Sequence, residues 1–131
     1  MIFLNKEEEQ IISIDPDIVL NYKHEGDMYL VNIQHELTKQ LISYLVFYDL
    51  QKVNNSFFKL IQNLSEGNYF DIVDFRNDYA EFIKCCKTFL KGCEGIEEVG
   101  VYDSVKESID KLQLSIQKLV YIIENFCYLE D

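Results

Sequence analysis

The chain has 131 residues, of which 48% are hydrophobic, and its formal net charge of −11 comes from 23 acidic and 12 basic residues. This length suits one domain that buries a substantial core without disulfides or metals, and the negative charge disfavours binding to nucleic acid or anionic membranes. One Pro and five Gly supply too few turn signals for an all-β sandwich. We therefore expect a single helical domain over residues 1–131 that binds a basic protein partner.

The four cysteines form no Cys-x-x-Cys pair, which favours reduced and mostly buried thiols in a cytoplasmic protein. Residues 1–9 turn acidic after four positions, unlike a secretory signal, and no run approaches the roughly 18 apolar residues of a membrane span. Neither histidine belongs to a His-Glu-x-x-His or Glu-x-x-His pattern, and no third ligand lies at useful spacing. These observations predict a cytoplasmic protein with no metal, no cofactor and no membrane contact.

Residues 1–26 form an N-terminal segment whose pattern favours short helices, although a turn between two short strands is an alternative. Residues 24–27, with a Gly among polar neighbours, are expected to be a linker. The segment is expected to pack against the long helices that follow it.

The first long helix is predicted over residues 28–65 from its apolar spacing. Its stretch 41–50 is apolar almost all the way round, which indicates either a central helix or a subunit interface. The weak helix formers Asn54 and Asn55 mark the expected place for a kink, where Ser56 could cap a new helix. The number of long helices is therefore three or four.

Two further long helices are predicted over residues 68–91 and 104–127. Gly67 is expected to end the first long helix in the left-handed conformation, and Ser104 with Glu107 to form a capping box at the start of the last. The last helix carries apolar residues at alternating steps of four and three: Val105, Ile109, Leu112, Ile116, Leu119, Ile123 and Phe126. The pattern predicts an all-α, antiparallel bundle of three to four long helices with a short N-terminal segment packed against it.

Acidic residues cluster on one flank of the 68–91 helix and in the loop after it, beside two tyrosines that we expect to be exposed. Acids around aromatic residues suit a basic partner, because charge steers the encounter and Tyr supplies contact area. An ordinary solvated helix flank would show the same pattern. The predicted partner-binding residues are Asp71, Asp74, Asp78, Tyr79, Glu81, Glu94, Glu97, Glu98, Tyr102 and Asp103.

These features favour a non-enzymatic acidic protein-binding module. Most concretely, it would be an inhibitor or immunity-type protein that masks a basic surface of a toxin, nuclease or regulator. A structural oligomeric subunit is an alternative. The chain is accordingly expected to be either a monomer or a homodimer through residues 41–50.

A further alternative depends on two pairs of acidic residues. Asp78-x-x-Glu81 and Glu107-x-x-Asp110 resemble the paired acidic motifs of all-helical nucleotide pyrophosphohydrolases. That resemblance implies a small Mg²⁺-dependent enzyme whose carboxylates hold the metal between neighbouring helices. The apolar spacing of the last helix, however, predicts that Glu107 and Asp110 lie on its outward side.

Overall fold

The computed structural model describes residues 16–39, 44–67, 69, 72–96 and 100–126. The described residues form four helices that pack as an antiparallel bundle, which confirms the predicted all-α class. The helices are α1 (Pro16–Thr38), α2 (Tyr44–Glu66), α3 (Ile72–Cys93) and α4 (Val101–Phe126).

The bundle is built from two closely packed helix pairs. α2 packs extensively along α3 and α1 along α4, whereas α1 meets α2, and α3 meets α4, over much smaller areas. In the first pair Asn63 bonds Asp78 at one end, while Asp49 lies beside Gly92 at the other, so the two helices run in opposite directions. Because α2 and α4 each pack against both α1 and α3, they occupy opposite corners of the bundle.

The core follows the apolar steps of four and three that the sequence shows. On α4 the side chains of the predicted seam are buried as expected, and Phe126 is the one member whose side chain lies outside the description. α2 contributes a matching buried seam of Val46, Leu50, Val53, Phe57, Leu60 and Leu64. These two seams bring the largest apolar stripes of the chain into one core.

The largest difference from the sequence prediction is in α1. This helix begins at Pro16, a favourable first position for Pro, and runs through residues 24–27, so the linker predicted there is wrong. A Cβ atom at Gly26 would lie 2.3 Å from Cζ of Phe57 and 3.1 Å from Cδ1 of Leu112. The glycine that suggested a linker is a packing residue, because its missing side chain admits the Phe57 ring.

The predicted boundaries of the first long helix, residues 28–65, are also wrong. α1 ends at Thr38 and α2 begins at Tyr44, and the connecting residues 40–43 lie outside the description. α2 continues through Ser56, whose hydroxyl donates to the Val53 carbonyl oxygen at 3.0 Å instead of capping a new helix. Of the predicted N-terminal segment, residues 16–26 belong to α1, and residues 1–15 are not described.

The other predicted helix ends have mixed outcomes. Gly67 has φ of 68°, which confirms the left-handed conformation expected after α2. α4 begins at Val101, three residues before the predicted start, and the Ser104 amide already donates to the Gly100 carbonyl oxygen at 3.0 Å. Ser104 therefore lies within the first turn, and the predicted capping box is wrong.

Candidate functional site

The acidic flank predicted on α3 faces α2. Asp78 bonds α2 directly, and Glu81 lines a groove between the two helices. Asp74, one turn before Asp78, is exposed. Because steps of four and three return to the same side of a helix, these three carboxylates share one flank, as predicted.

Asp78 holds α2, α3 and the segment between them together. Its Oδ2 accepts hydrogen bonds from the Tyr69 hydroxyl at 2.6 Å and from Asn63 Nδ2 at 3.4 Å, and its Oδ1 lies 3.4 Å from Lys59 Nζ. Burial, together with the hydrogen bond to this carboxylate, raises the pKa of Tyr69 far above its usual value. Asp78 is therefore engaged inside the chain, which makes a structural role sufficient to explain it.

The groove has a volume of about 360 Å³ and two chemically different walls. α2 supplies basic and polar side chains, and α3 supplies two carboxylates and a thiol. The lining residues are Lys52, Asn55, Ser56, Lys59, Asp78, Glu81 and Cys85. The α2 wall was not predicted from the sequence, because its residues form a site only through the register of α2 against α3.

Within the groove the charges are not equally satisfied. Lys59 pairs with Asp78, and the Lys52 ammonium lies over the Tyr48 ring, 4.7 Å from its centroid. Glu81 is exposed. Among the described residues its hydrogen-bond donor is the Cys85 thiol, a weak donor, with Sγ 3.7 Å from Glu81 Oε1. Glu81 is thus the carboxylate of the groove that has no cationic partner in the described part of the chain.

The described cysteines are free thiols with little nucleophilic character. Burial raises the pKa of Cys86 and of Cys93 to about 12, and burial is also the main cause that raises the pKa of Cys85. The thiolate is the reactive form of cysteine, so little of it exists at neutral pH. This agrees with the buried thiols expected from the sequence, although Cys85 is only half-buried.

The two tyrosines of the predicted surface are not exposed, and that expectation is wrong. Tyr79 and Tyr102 are half-buried and pack against the core. Tyr79 is turned by roughly 100° from Asp78 around α3, away from α2. The structure therefore does not bring these tyrosines together with the acidic flank.

The acidic residues after α3 are only partly described. Glu94, just beyond the end of α3, and Asp103, in the first turn of α4, are exposed as expected. Asp71, Glu97 and Glu98 lie outside the described residues.

The acid pairs that resemble those of pyrophosphohydrolases do not face each other. Glu107 pairs with Lys111 at 3.0 Å and Asp110 with Lys106 at 2.7 Å on the exposed side of α4, as the apolar spacing predicted. Asp78 and Glu81 instead face α2. In the part of the chain that the structure describes, no group of three or more His, Cys, Asp or Glu side chains is placed to hold a metal ion.

No protein-family model matches the chain, and searches of curated proteins and of solved structures also gave no match. Among the helices described above, none combines the length and the hydropathy that crossing a bilayer requires. The candidate site is therefore defined by the chain's own geometry.

Proposed function

We propose that this protein is a non-enzymatic acidic binding module, of the inhibitor or immunity type, that masks a basic surface of a toxin, nuclease or regulator. The supporting observation is the groove between α2 and α3, in which Glu81 is exposed and lacks a cationic partner among the described residues. A Lys or Arg side chain of a partner supplies the missing cation and several strong donors.

Neither of the two lysines that line the groove forms an ion pair with Glu81 in the described part of the chain. Lys59 is paired with Asp78, and Lys52 rests on Tyr48, so both ammonium groups are engaged inside the chain. The charges of the lining sum to zero, and Glu81 is the carboxylate that is left to pair with a cation of a partner. Exposed Asp74, about two turns before Glu81 on the same flank of α3, extends the acidic flank beyond the groove.

The distribution of charge supports long-range attraction of a basic partner. The four helices hold 13 of the 23 acidic residues but 10 of the 12 basic ones, so most of the excess negative charge belongs to the segments outside them. Such an excess accelerates the encounter with a basic surface, whereas the groove selects where contact is made.

The test compares two charge reversals with the same change in net charge. Affinity capture from the source organism first identifies the partner, and calorimetric titration then measures its affinity over a range of salt concentrations. We expect Glu81→Lys to weaken binding at least tenfold and to reduce its salt dependence. Asp110→Lys, on the exposed face of α4, is the control and should change the affinity much less.

Two results would contradict the proposal. An equal loss of affinity in both variants would mean that net charge alone drives binding, without the groove. Unchanged binding in Glu81→Lys would remove the groove as the contact site.

A further inference from the structure

The outward face of α2 carries a second regular stripe, which we call the outer stripe. Its residues follow one another at steps of four, three, four, three and four, and all of them are exposed. They are Tyr44, Tyr48, Gln51, Asn55, Phe58 and Gln62. The buried seam of the same helix has identical steps, so α2 shows a helix-packing pattern on two opposite sides.

The chemistry of the outer stripe is unusual for so acidic a protein. Over roughly 27 Å of helix it contains no charged residue, and Tyr44, Tyr48 and Phe58 are 78%, 55% and 54% exposed. α2 as a whole has two acidic and two basic residues and is therefore neutral. Exposed aromatic side chains on an uncharged face are typical of a protein interface rather than of a solvated helix surface.

We infer that the outer stripe is the interface of a homodimer, in which α2 packs antiparallel against α2 of a second copy. The stripe is self-complementary about a twofold axis at the level of Val53. In that arrangement Tyr48 faces the partner's Phe58, and Gln51 faces the partner's Asn55, so that like meets like in the two central pairs. In the outer pair Tyr44 faces the partner's Gln62, so that an aromatic ring there meets an amide. Such an isologous contact is what twofold symmetry requires.

Charge identifies the second copy, and not a basic protein, as the occupant of this face. Two chains of charge −11 repel each other, so they can approach most easily on sides without carboxylates. The residues of the outer stripe offer such a side. Lys52 and Lys59 border it, and Glu66 lies just beyond its end, where Gln62 Nε2 donates to Glu66 Oε1 at 3.3 Å. A basic partner finds no carboxylate to pair with among the stripe residues, whereas amide and aromatic groups pair with their own kind.

The size of the interface sets its strength. One helix pair of roughly 27 Å covers less than the about 800 Å² per partner of a standard interface, so we expect a dimer that dissociates on dilution. Of the 41–50 segment, from which a homodimer interface was predicted, the outer stripe includes Tyr44 and Tyr48, and it continues along α2 to Gln62. Asn55 belongs to both the outer stripe and the lining of the groove, and Lys52 of the groove rests on Tyr48 of the stripe. Glu81, on which the proposed function depends, lies on α3 outside the stripe, so the dimer does not require that function.

Sedimentation equilibrium over micromolar concentrations tests the dimer. Phe58→Glu should raise the dissociation constant at least tenfold, and Gln51→Glu severalfold, because each places two carboxylates in the contact. Leu114→Glu is the matched control, since Leu114 is similarly exposed on α4 at the opposite corner of the bundle, and it should leave the constant unchanged. Circular dichroism should show that all three variants remain folded, as expected for exposed positions.

Disulfide cross-linking tests the antiparallel arrangement in a background in which Cys85 and Cys127 are replaced by Ser. A mixture of Gln51→Cys and Asn55→Cys chains should form a mixed disulfide faster than either chain with itself. A monomer at all concentrations, or equal effects of Phe58→Glu and Leu114→Glu, would overturn the dimer. Faster self-linking of Asn55→Cys would overturn its antiparallel arrangement. Glu81→Lys should not alter dimerisation, which separates this inference from the proposed partner site.

Discussion

Two carboxylates connect the helices within the two packed pairs. Glu25 of α1 accepts hydrogen bonds from the buried Ser115 hydroxyl of α4 at 2.8 Å and from Tyr29 at 3.0 Å. Asp78 of α3 contacts Asn63 and Lys59 of α2, and it accepts a hydrogen bond from Tyr69 in the segment between the two helices. Because buried hydroxyls need partners, these bonds fix the register of each pair more than they add to its stability.

Gly26 gives a sharp stability prediction. Gly26→Ala should lower the free energy of unfolding by about 1–3 kcal/mol, although Ala favours helices, because its Cβ would overlap the Phe57 ring. Chemical denaturation measures the change. Adding Phe57→Leu should recover part of the loss, since the shorter side chain leaves room.

Gly92→Ala is the control for this substitution. Gly92 is exposed within α3, and a Cβ there would meet Asp49 Oδ2 at an ordinary 3.4 Å. We expect this variant to be neutral or to gain up to about 1 kcal/mol. Greater stability of Gly26→Ala than of Gly92→Ala would contradict the packing that we describe.

At the scale of whole helices, apolar spacing predicted the buried faces well. The seam of α4 and the buried seam of α2 both follow steps of four and three, which the sequence shows without any tertiary information. The junction between α1 and α2 was missed because apolar residues continue into it at positions 41 and 42, so periodicity does not mark the break. Residues 24–27 were mistaken for a linker, because the close approach of Phe57 to Gly26 is a long-range contact that the local sequence does not show.

The candidate site was predictable only in part. The position of the acidic residues on one face of α3 follows from their spacing within that helix. Whether each carboxylate is paired depends on α2, which brings Lys59 to Asp78 and leaves Glu81 with Cys85. Tyr79 lies at the edge of the apolar face, where spacing alone does not distinguish a half-buried side chain from an exposed one.

Two leucines of α4 test the assignment of its faces. Leu112→Ala should cost about 2–5 kcal/mol, because Leu112 is fully buried. Leu114→Ala, two residues further on, should stay within about 0.5 kcal/mol, because Leu114 is half exposed. Thermal or denaturant unfolding measures both, and similar costs would mean that the orientation of α4 is wrong.

The stability of the whole molecule should depend on pH through its buried thiols. Cys86 and Cys93 keep their protons in the folded state up to about pH 12, whereas an unfolded thiol loses its proton near pH 9.0. Each thiol therefore contributes its full stabilisation below pH 9, and this is lost as the pH rises from 9 towards 12. The loss amounts to at most about 1.4 kcal/mol per pH unit and thiol.

Unfolding free energies measured between pH 8 and pH 10.5 test this dependence. The free energy of unfolding of the parent should exceed that of Cys86→Ala by less as the pH rises. The parent loses the contribution of the Cys86 thiol, whereas the variant has no thiol at this position to titrate. The difference between the parent and Leu112→Ala should stay constant, because that substitution removes no titrating group. A pH-independent difference for Cys86→Ala would show that this thiol is not shielded from water.

The pairing of α1 with α4 affects the order in which the protein can be built. α1 is the first of the four helices to be synthesised, and its main packing partner is the last. α2 and α3 are neighbours along the chain and can join as soon as both have left the ribosome. The apolar side of α1 therefore stays exposed to solvent or chaperones until α4 has been synthesised. A chain truncated before α4 would lack the main packing partner of α1.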